Sequence, residues 1–287
     1  MPALLDSTNS QEVPTTPKQL LRGSGRSPKY VRSGARSLAV TYLSVIVLIP
    51  FAALLTNAFS GGLGQFWNDV TSLESLDALR LTLLCSLAAA VVNTVMGLAT
   101  AWVLVRDRFK GQGVLNTLID LPFALPTVVA GVTFYALYGP LSPLHITITG
   151  TWIGITVAIM FVTLPFTVRS VQPVLETLTF TAESAAATLG ASPVRVFRTV
   201  TLPVLLPSLL TGTGLAFARA LGEYGSVVFI SNNLPYRTEV ASSYIYSLTS
   251  SNENGAAAAV AVALLILALG TLVSFSALGR FLSRGAK

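Results

Sequence analysis

Charge is the scarcest feature of this chain. Of 287 residues only 10% are Asp, Glu, Lys or Arg, and the mean hydropathy is +0.69. An average soluble domain carries about 25% charged residues. With 52% of the residues hydrophobic, the chain does not read as an ordinary water-soluble domain. Reactive side chains are almost as scarce. There is one cysteine, Cys85, inside an apolar run, and one histidine, His145. These exclude a disulfide framework and a Cys/His metal site. They also leave too few candidates for a catalytic triad or an HExxH site, so the chain is not expected to be an enzyme. The phosphate-loop pattern GxxxxGK(S/T) is absent, which leaves no ATP site and no cofactor in this chain. Cys85 reads as a small packing residue and His145 as a solvated loop residue with no assigned role.

Long apolar stretches dominate what is present. Six of them fall at roughly 38–59, 79–105, 116–138, 151–171, 204–231 and 256–280. A helix crossing a bilayer needs about 20 apolar residues, so the pattern predicts an all-α polytopic membrane protein with about six spans. The first run is too long for a signal-peptide core of about 7–15 residues and reads as a retained anchor. Residues 1–37 form a separate region, rich in Pro, Ser, Gly and Thr and carrying six Lys or Arg. Such a stretch buries too little apolar surface to offset its ordering entropy and is expected to be a disordered basic tail. A plastid transit peptide is the alternative. Its charges are too diffuse to suggest nucleic-acid binding.

The positive residues alternate from loop to loop. Three lie at Arg106, Arg108 and Lys110, three between 169 and 203, and three at the C-terminus, whereas the alternate loops hold only Arg80 and Arg237. Cytoplasmic loops are the Lys/Arg-rich ones. Both termini and the 169–203 segment are therefore expected on the cytoplasmic side, with 38–287 forming one transmembrane domain.

The stretch ESAAATLGASPVRVFRTVTLPVLLP, residues 183–207, is too polar to span yet sits between two spans. Good helix formers run from Pro173 to Leu189. Gly190 suits the left-handed position after a helix end. Ser192 suits an N-cap and Pro193 the first position of a second short helix. That helix would place Val194, Phe197 and Val200 on one side beside Arg195 and Arg198, and end at Leu202-Pro203. An ordinary solvated loop is one reading. The small residues before Gly190, which admit a second backbone, beside an apolar and basic helix favour a docking surface.

Ala185, Ala186, Gly190, Val200, Leu202 and Pro203 match the spacing of the EAA loop of binding-protein-dependent ABC importer permeases, which this segment resembles. The pattern's glutamate position is Ser184, with Glu183 one residue earlier, and Val200 stands for Ile. The stretches LPFALPTVVAGVTFYALYGP (121–140), LPFTVRSVQPVLETL (164–178) and FARALGEYGSVVFISNNLPYRTEVASSYIY (217–246) look like the sulfate/thiosulfate permeases, nearest to their T-type subunits. The resemblance implies a type I (MetI-like) importer fold in a bacterial inner membrane, or alternatively a plastid envelope. It implies a second, W-type permease, two copies of a cytoplasmic ATPase that binds ATP and Mg, and an external sulfate- or thiosulfate-binding protein. The cytoplasmic loop at about 172–203, and within it the 183–203 element, would couple to the ATPase. A molybdate or tungstate permease shares the fold and is the nearest alternative. An ATP-independent channel or a membrane-embedded enzyme is more remote.

Within the spans, Pro122, Pro126 and Pro165 predict kinks or breaks. Asn93 and Gly97 predict helix packing. Arg219 and Glu223 are the costly groups, because a charge at the centre of a membrane costs about 2.5–3.5 kcal/mol on insertion scales. Their i, i+4 spacing predicts mutual pairing.

Overall fold

The computed structural model describes residues 29–107, 109–178 and 180–285, and no strand occurs among them. The chain divides into two compact units between Ala52 and Ala53. The first holds α1 (Lys29–Leu43), a π-helical turn, Ser44–Leu48, and the opening residues of α2 (Ile49–Ala58), which the division crosses. Of the expected tail, residues 1–28 lie outside the described residues. Lys29–Ser37 are helical, so the first helix begins ahead of residue 38. Extending a helix already nucleated by an apolar run costs far less than starting one.

After the remainder of α2, the second unit holds a short amphipathic helix, α3 (Gly62–Thr71). Helix α4 (Leu73–Arg106) follows, its first turn capped by Ser72 Oγ, which accepts from Ser75 N at 3.2 Å. Then come α5 (Gln112–Ile119), α6 (Leu121–Ala124), α7 (Thr127–Tyr138), α8 (Trp152–Thr177), α9 (Phe180–Thr188) and α10 (Pro193–Val196). A second π-turn, Phe197–Thr201, leads into α11 (Leu202–Leu221), followed by α12 (Val227–Ile230), α13 (Ala241–Ser250) and α14 (Asn254–Gly285).

Five of the six expected segments contain a long apolar helix that can cross a bilayer by length and composition: 36–58, α4, α8, 193–221 and 254–281. The remaining segment, 116–138, is broken into α5, α6 and α7. Leu125 is extended, with ψ 134°, and Pro126 follows it. Proline lacks an N–H and pushes the preceding residue out of the helical region, so the helix must stop there. At 12 residues, α7 is about 18 Å long and is too short to span. Pro122 sits in the first turn of α6, whereas α8 continues through Pro165. The fifth segment ends as a helix at Leu221, and α12 and α13 fill the connection to α14. The polar stretch ASSYIYSLTS of α13 has no long apolar run and is not apparent as an element in the sequence.

Helices α4, α8 and α11 form the centre, with α14 against α11. Helix α4 is inverted relative to a soluble helix. Its exposed side carries Leu84, Leu87, Val91 and Val95, while its buried side carries Ser86, Ala89, Ala90, Asn93, Gly97 and Ala101. In lipid there is no hydrophobic force between helices, so small residues that permit close contact take the interface. A Cβ on Gly97 would lie 2.8 Å from Thr167 Cβ, and one on Gly214 would lie 2.7 Å from Phe275 Cβ. Asn93 Nδ2 donates to Met160 O and Thr163 Oγ1, both at 2.9 Å. Asn93 and Gly97 thus take the packing roles their positions suggest. Cys85 is 2% exposed and belongs to the same packing, and His145 is exposed on the 139–151 loop.

Candidate functional site

The 178–203 element leaves the bundle at the end marked by Arg106. Helix α8 stops at Thr177, Leu178 is extended, and α9 follows. Gly190 has φ +84°. Around it Ala191 N donates to Ala186 O at 3.1 Å and Gly190 N to Ala187 O at 2.9 Å. This is the paired 6→1 and 5→2 closure of a Schellman turn. Ser192 precedes α10 in an extended conformation, but its side chain makes no capping bond. Pro193 opens α10. The second helix does not end at Leu202-Pro203, because α10, the π-turn and α11 are continuous.

Glu183 ties this element to the bundle. Its Oε1 accepts from Arg106 Nη2 at 2.8 Å and from Thr201 Oγ1 at 2.7 Å. The Arg106 and Glu183 side chains are 8% and 16% exposed. Arg106 also lies over the Trp102 ring, 5.4 Å from its centroid, and Trp102 meets Phe197 edge-on at 5.5 Å. Between them is a cavity of about 340 Å³ lined by Trp102, Ser184, Ala187, Pro193 and Val196. Phe197 is therefore turned inward. The outward face is Ser184, Ala185, Leu189, Gly190, Val194, Arg195 and Arg198, all exposed. Ala186, Val200 and Leu202 are half-buried, and Pro203 is exposed in the first turn of α11.

A second ion pair braces the broken segment at the same end. Arg169 Nε donates to Asp120 Oδ1 at 2.8 Å, and Nη1 donates to Asn116 Oδ1 at 2.8 Å. Neither Arg106–Glu183 nor Arg169–Asp120 is visible in the sequence spacing. The only signal is that each member is a charge at the edge of an apolar run.

Deeper in the bundle, Arg219 Nη1 lies 2.6 Å from Glu223 Oε2. The pair forms although Glu223 lies beyond the end of α11. Glu223 Oε1 also accepts from Ser226 N and Ser226 Oγ, both at 3.0 Å, and its backbone carbonyl accepts from Ser242 Oγ at 2.6 Å. The turn so fixed presses against the start of α7. A Cβ on Gly225 would stand 2.2 Å from Thr127 Oγ1, and one on Gly131 would stand 2.8 Å from Gly225 O. At the far end Glu239 is buried and accepts from Ser247 Oγ at 3.0 Å. Burial pushes its carboxyl pKa up, with Glu74 adding to the rise and Ser247 opposing it. Among the described residues no three His, Cys, Asp or Glu side chains stand together as a metal site would require.

The family described as binding-protein-dependent transport system inner membrane component matches residues 93–284, which take in all three of these ion pairs and the whole 183–203 element. The chain belongs to this family. Among relatives, the sulfate transport system permease protein CysT of Salmonella typhimurium is 44% identical over 215 residues, covering 72% of this chain and 78% of that protein. The protein of the same name from Synechocystis is 41% identical over 216 residues, covering 73% and 76%. In fold, the chain is similar to a bacterial ABC transporter that imports alginate, with TM-score 0.74 at 16% identity over 92% of this chain and 97% of that one. It is also similar to the inward-facing MetNI methionine transporter, with TM-score 0.55 at 18% identity over 74% and 99%. The architecture is that of an ABC importer permease, as the resemblance implied. Relatives in this family are transport components, not enzymes.

Proposed function

We propose that this chain is one permease subunit of an ATP-driven sulfate or thiosulfate importer. It would work with a related second permease, two copies of a cytoplasmic ATPase and an external binding protein. The observation that carries this reading is the 44% identity to a sulfate permease across 215 residues. ATP and Mg would be held by the ATPase. The chain itself would sit in a bacterial inner membrane with both termini in the cytoplasm. The outward face of Ser184, Leu189, Val194, Arg195 and Arg198 would meet the ATPase. Since Ser184 holds the outward position and Glu183 is spent on Arg106 and Thr201, this contact would be apolar and basic rather than acidic. Closure of the ATPases would move the 183–203 element. Glu183 joins that element to the end of α4 through Arg106 and to the start of α11 through Thr201, so both helices would follow. The test is sulfate uptake in a strain lacking its own T-type permease. Restored uptake that excess molybdate does not suppress supports the reading. Failure to restore uptake, or suppression by molybdate, overturns it.

Two further results are expected. Single cysteines at the exposed positions Ser60 and Ser251 should react with impermeant thiol reagents in intact cells, while those at Lys110 and Thr199 should not. Labelling at Thr199 from outside would remove the proposed ATPase contact. Gly190→Val should leave the protein inserted but lower uptake severalfold. An added Cβ meets nothing within 4 Å, yet a β-branched residue at φ +84° is strained, so the turn would re-aim α10. Normal stimulation of the ATPase by loaded binding protein in this variant would exclude the turn from coupling.

A further inference from the structure

The Arg219–Glu223 pair is lopsided. Glu223 is 1% exposed at its side chain and Arg219 is 35% exposed. Both carboxylate oxygens are engaged: Ser226 N and Oγ donate to one and the guanidinium faces the other. The guanidinium is not. Apart from Nη1, its N–H groups have no acceptor among the described residues. Asn93, Thr163 and Ser86, by contrast, are sealed between helices, at most 1% exposed. Arg219 therefore differs from them in keeping donors open.

Its depth gives that opening a meaning. From Thr201, beside the Glu183 contact, to Arg219 is 18 residues of near-continuous helix, or roughly 27 Å, most of the way across a hydrocarbon core about 30 Å thick. Its neighbours Phe217 and Ala220 pack near Ala90 and Ala89, the middle of α4. An arginine at that depth does not present its charge to hydrocarbon. It faces protein or a water-filled path. The same turn abuts the start of α7.

We infer that Arg219 is the contact this chain offers to a tetrahedral oxyanion in the half of the bundle away from the 183–203 element, with Glu223 as the residue that positions it. The inference rests on the sulfate reading above. A guanidinium presents a rigid fork of donors suited to sulfate oxygens. Glu223 cancels most of its net charge, so the site supplies hydrogen bonds without a strong electrostatic trap. A path must hold its substrate weakly enough for release. Glu223 also fixes the head group through a carboxylate that Ser226 locks in place, so the fork keeps its direction when no anion is present.

The test uses the complete transporter in liposomes, with loaded binding protein, measuring radiolabelled sulfate uptake and ATP hydrolysis on the same samples. Arg219→Gln should lower sulfate moved per ATP hydrolysed by about tenfold or more, the scale of losing charge-assisted hydrogen bonds. Arg219→Lys, which keeps the charge but not the fork, should recover part of it. If Arg219 only pins the fold, uptake and hydrolysis will fall together with the amount of assembled complex, and their ratio will stay at the wild-type value. That result overturns the inference, as does wild-type uptake by Arg219→Gln. The wild-type complex distinguishes the two readings. If it moves no sulfate, the functional reading falls and this inference with it; if it does and the ratio is unchanged, only the inference falls.

Discussion

Arg106→Ala should detach the 178–203 element from the bundle and abolish most uptake. The change strands the Glu183 carboxylate, 16% exposed, against Thr201 Oγ1 and the Trp102 ring. Breaking a buried ion pair from one side costs on the order of 3–5 kcal/mol, because the remaining charge is left without a partner. A stability margin of about 5–15 kcal/mol would lose a large fraction of itself, concentrated in one loop. Limited proteolysis should then cut between 178 and 201 many times faster, and ATP hydrolysis should lose its response to loaded binding protein. Glu183→Leu should do nearly as much harm. Combining Arg106→Met with Glu183→Leu should restore much of the protease resistance, since an apolar pair of similar volume needs no desolvation. Strictly additive losses in that double-mutant cycle would show that the two side chains do not depend on each other.

Gly131→Ala and Gly225→Ala should each strongly destabilise the solubilised protein. The added methyl at 131 would meet two backbone oxygens, Gly225 O at 2.8 Å and Ser226 O at 2.9 Å. At 225 it would meet Thr127 Oγ1 at 2.2 Å and Val128 N at 3.0 Å. Backbone cannot swing aside as a long side chain can, so α7 must separate from the 223–226 turn. Overpacking of this kind typically costs about 1–3 kcal/mol. The separation would also disturb Glu223, because Ser226 supplies two of its hydrogen bonds. Gly270→Ala is the control. A Cβ there meets nothing within 4 Å, and alanine in mid-helix should stabilise slightly. Thermal unfolding of the three variants in one detergent should place Gly270→Ala at or above wild type. If Gly131→Ala unfolds with it, the close contact between α7 and the turn is wrong.

Local chemistry carried the readable part of this molecule. Gly190 announces the turn because it tolerates a positive φ that other residues resist, and Pro193 because its ring fixes φ. Pro126 announces a break for the same reason, although its sequence alone does not tell a kink from a segment split in three. The Arg219–Glu223 pair was legible because both members lie one helical turn apart. Arg106 and Glu183 are 77 positions apart, and nothing in either neighbourhood names the other. The inward turn of Phe197 was hidden likewise, since its partner Trp102 lies on another helix. Helix α13 escaped notice because its buried face, with Ser243, Tyr244 and Leu248, is too short and mixed to show a period. The helical stretch Lys29–Ser37 was obscured by charge, which sets solubility more than backbone angle.

The five residues Phe197–Thr201 form a π-turn at the point where the outward element becomes α11. A π-turn closes with one residue more than an α-turn. The same stretch wound as ordinary α-helix would leave that residue over, and everything before it would stand about 100° further round the axis and about 1.5 Å displaced along it. Phe197 would then swing off Trp102 while Leu205 and Leu209, deep in the bundle, kept their places. The rod from Pro193 to Leu221 is in this respect two shafts joined by a one-residue clutch: an input at α10 can be taken up in part as rotation, while the Glu183–Thr201 bond carries the rest to the head of the second shaft.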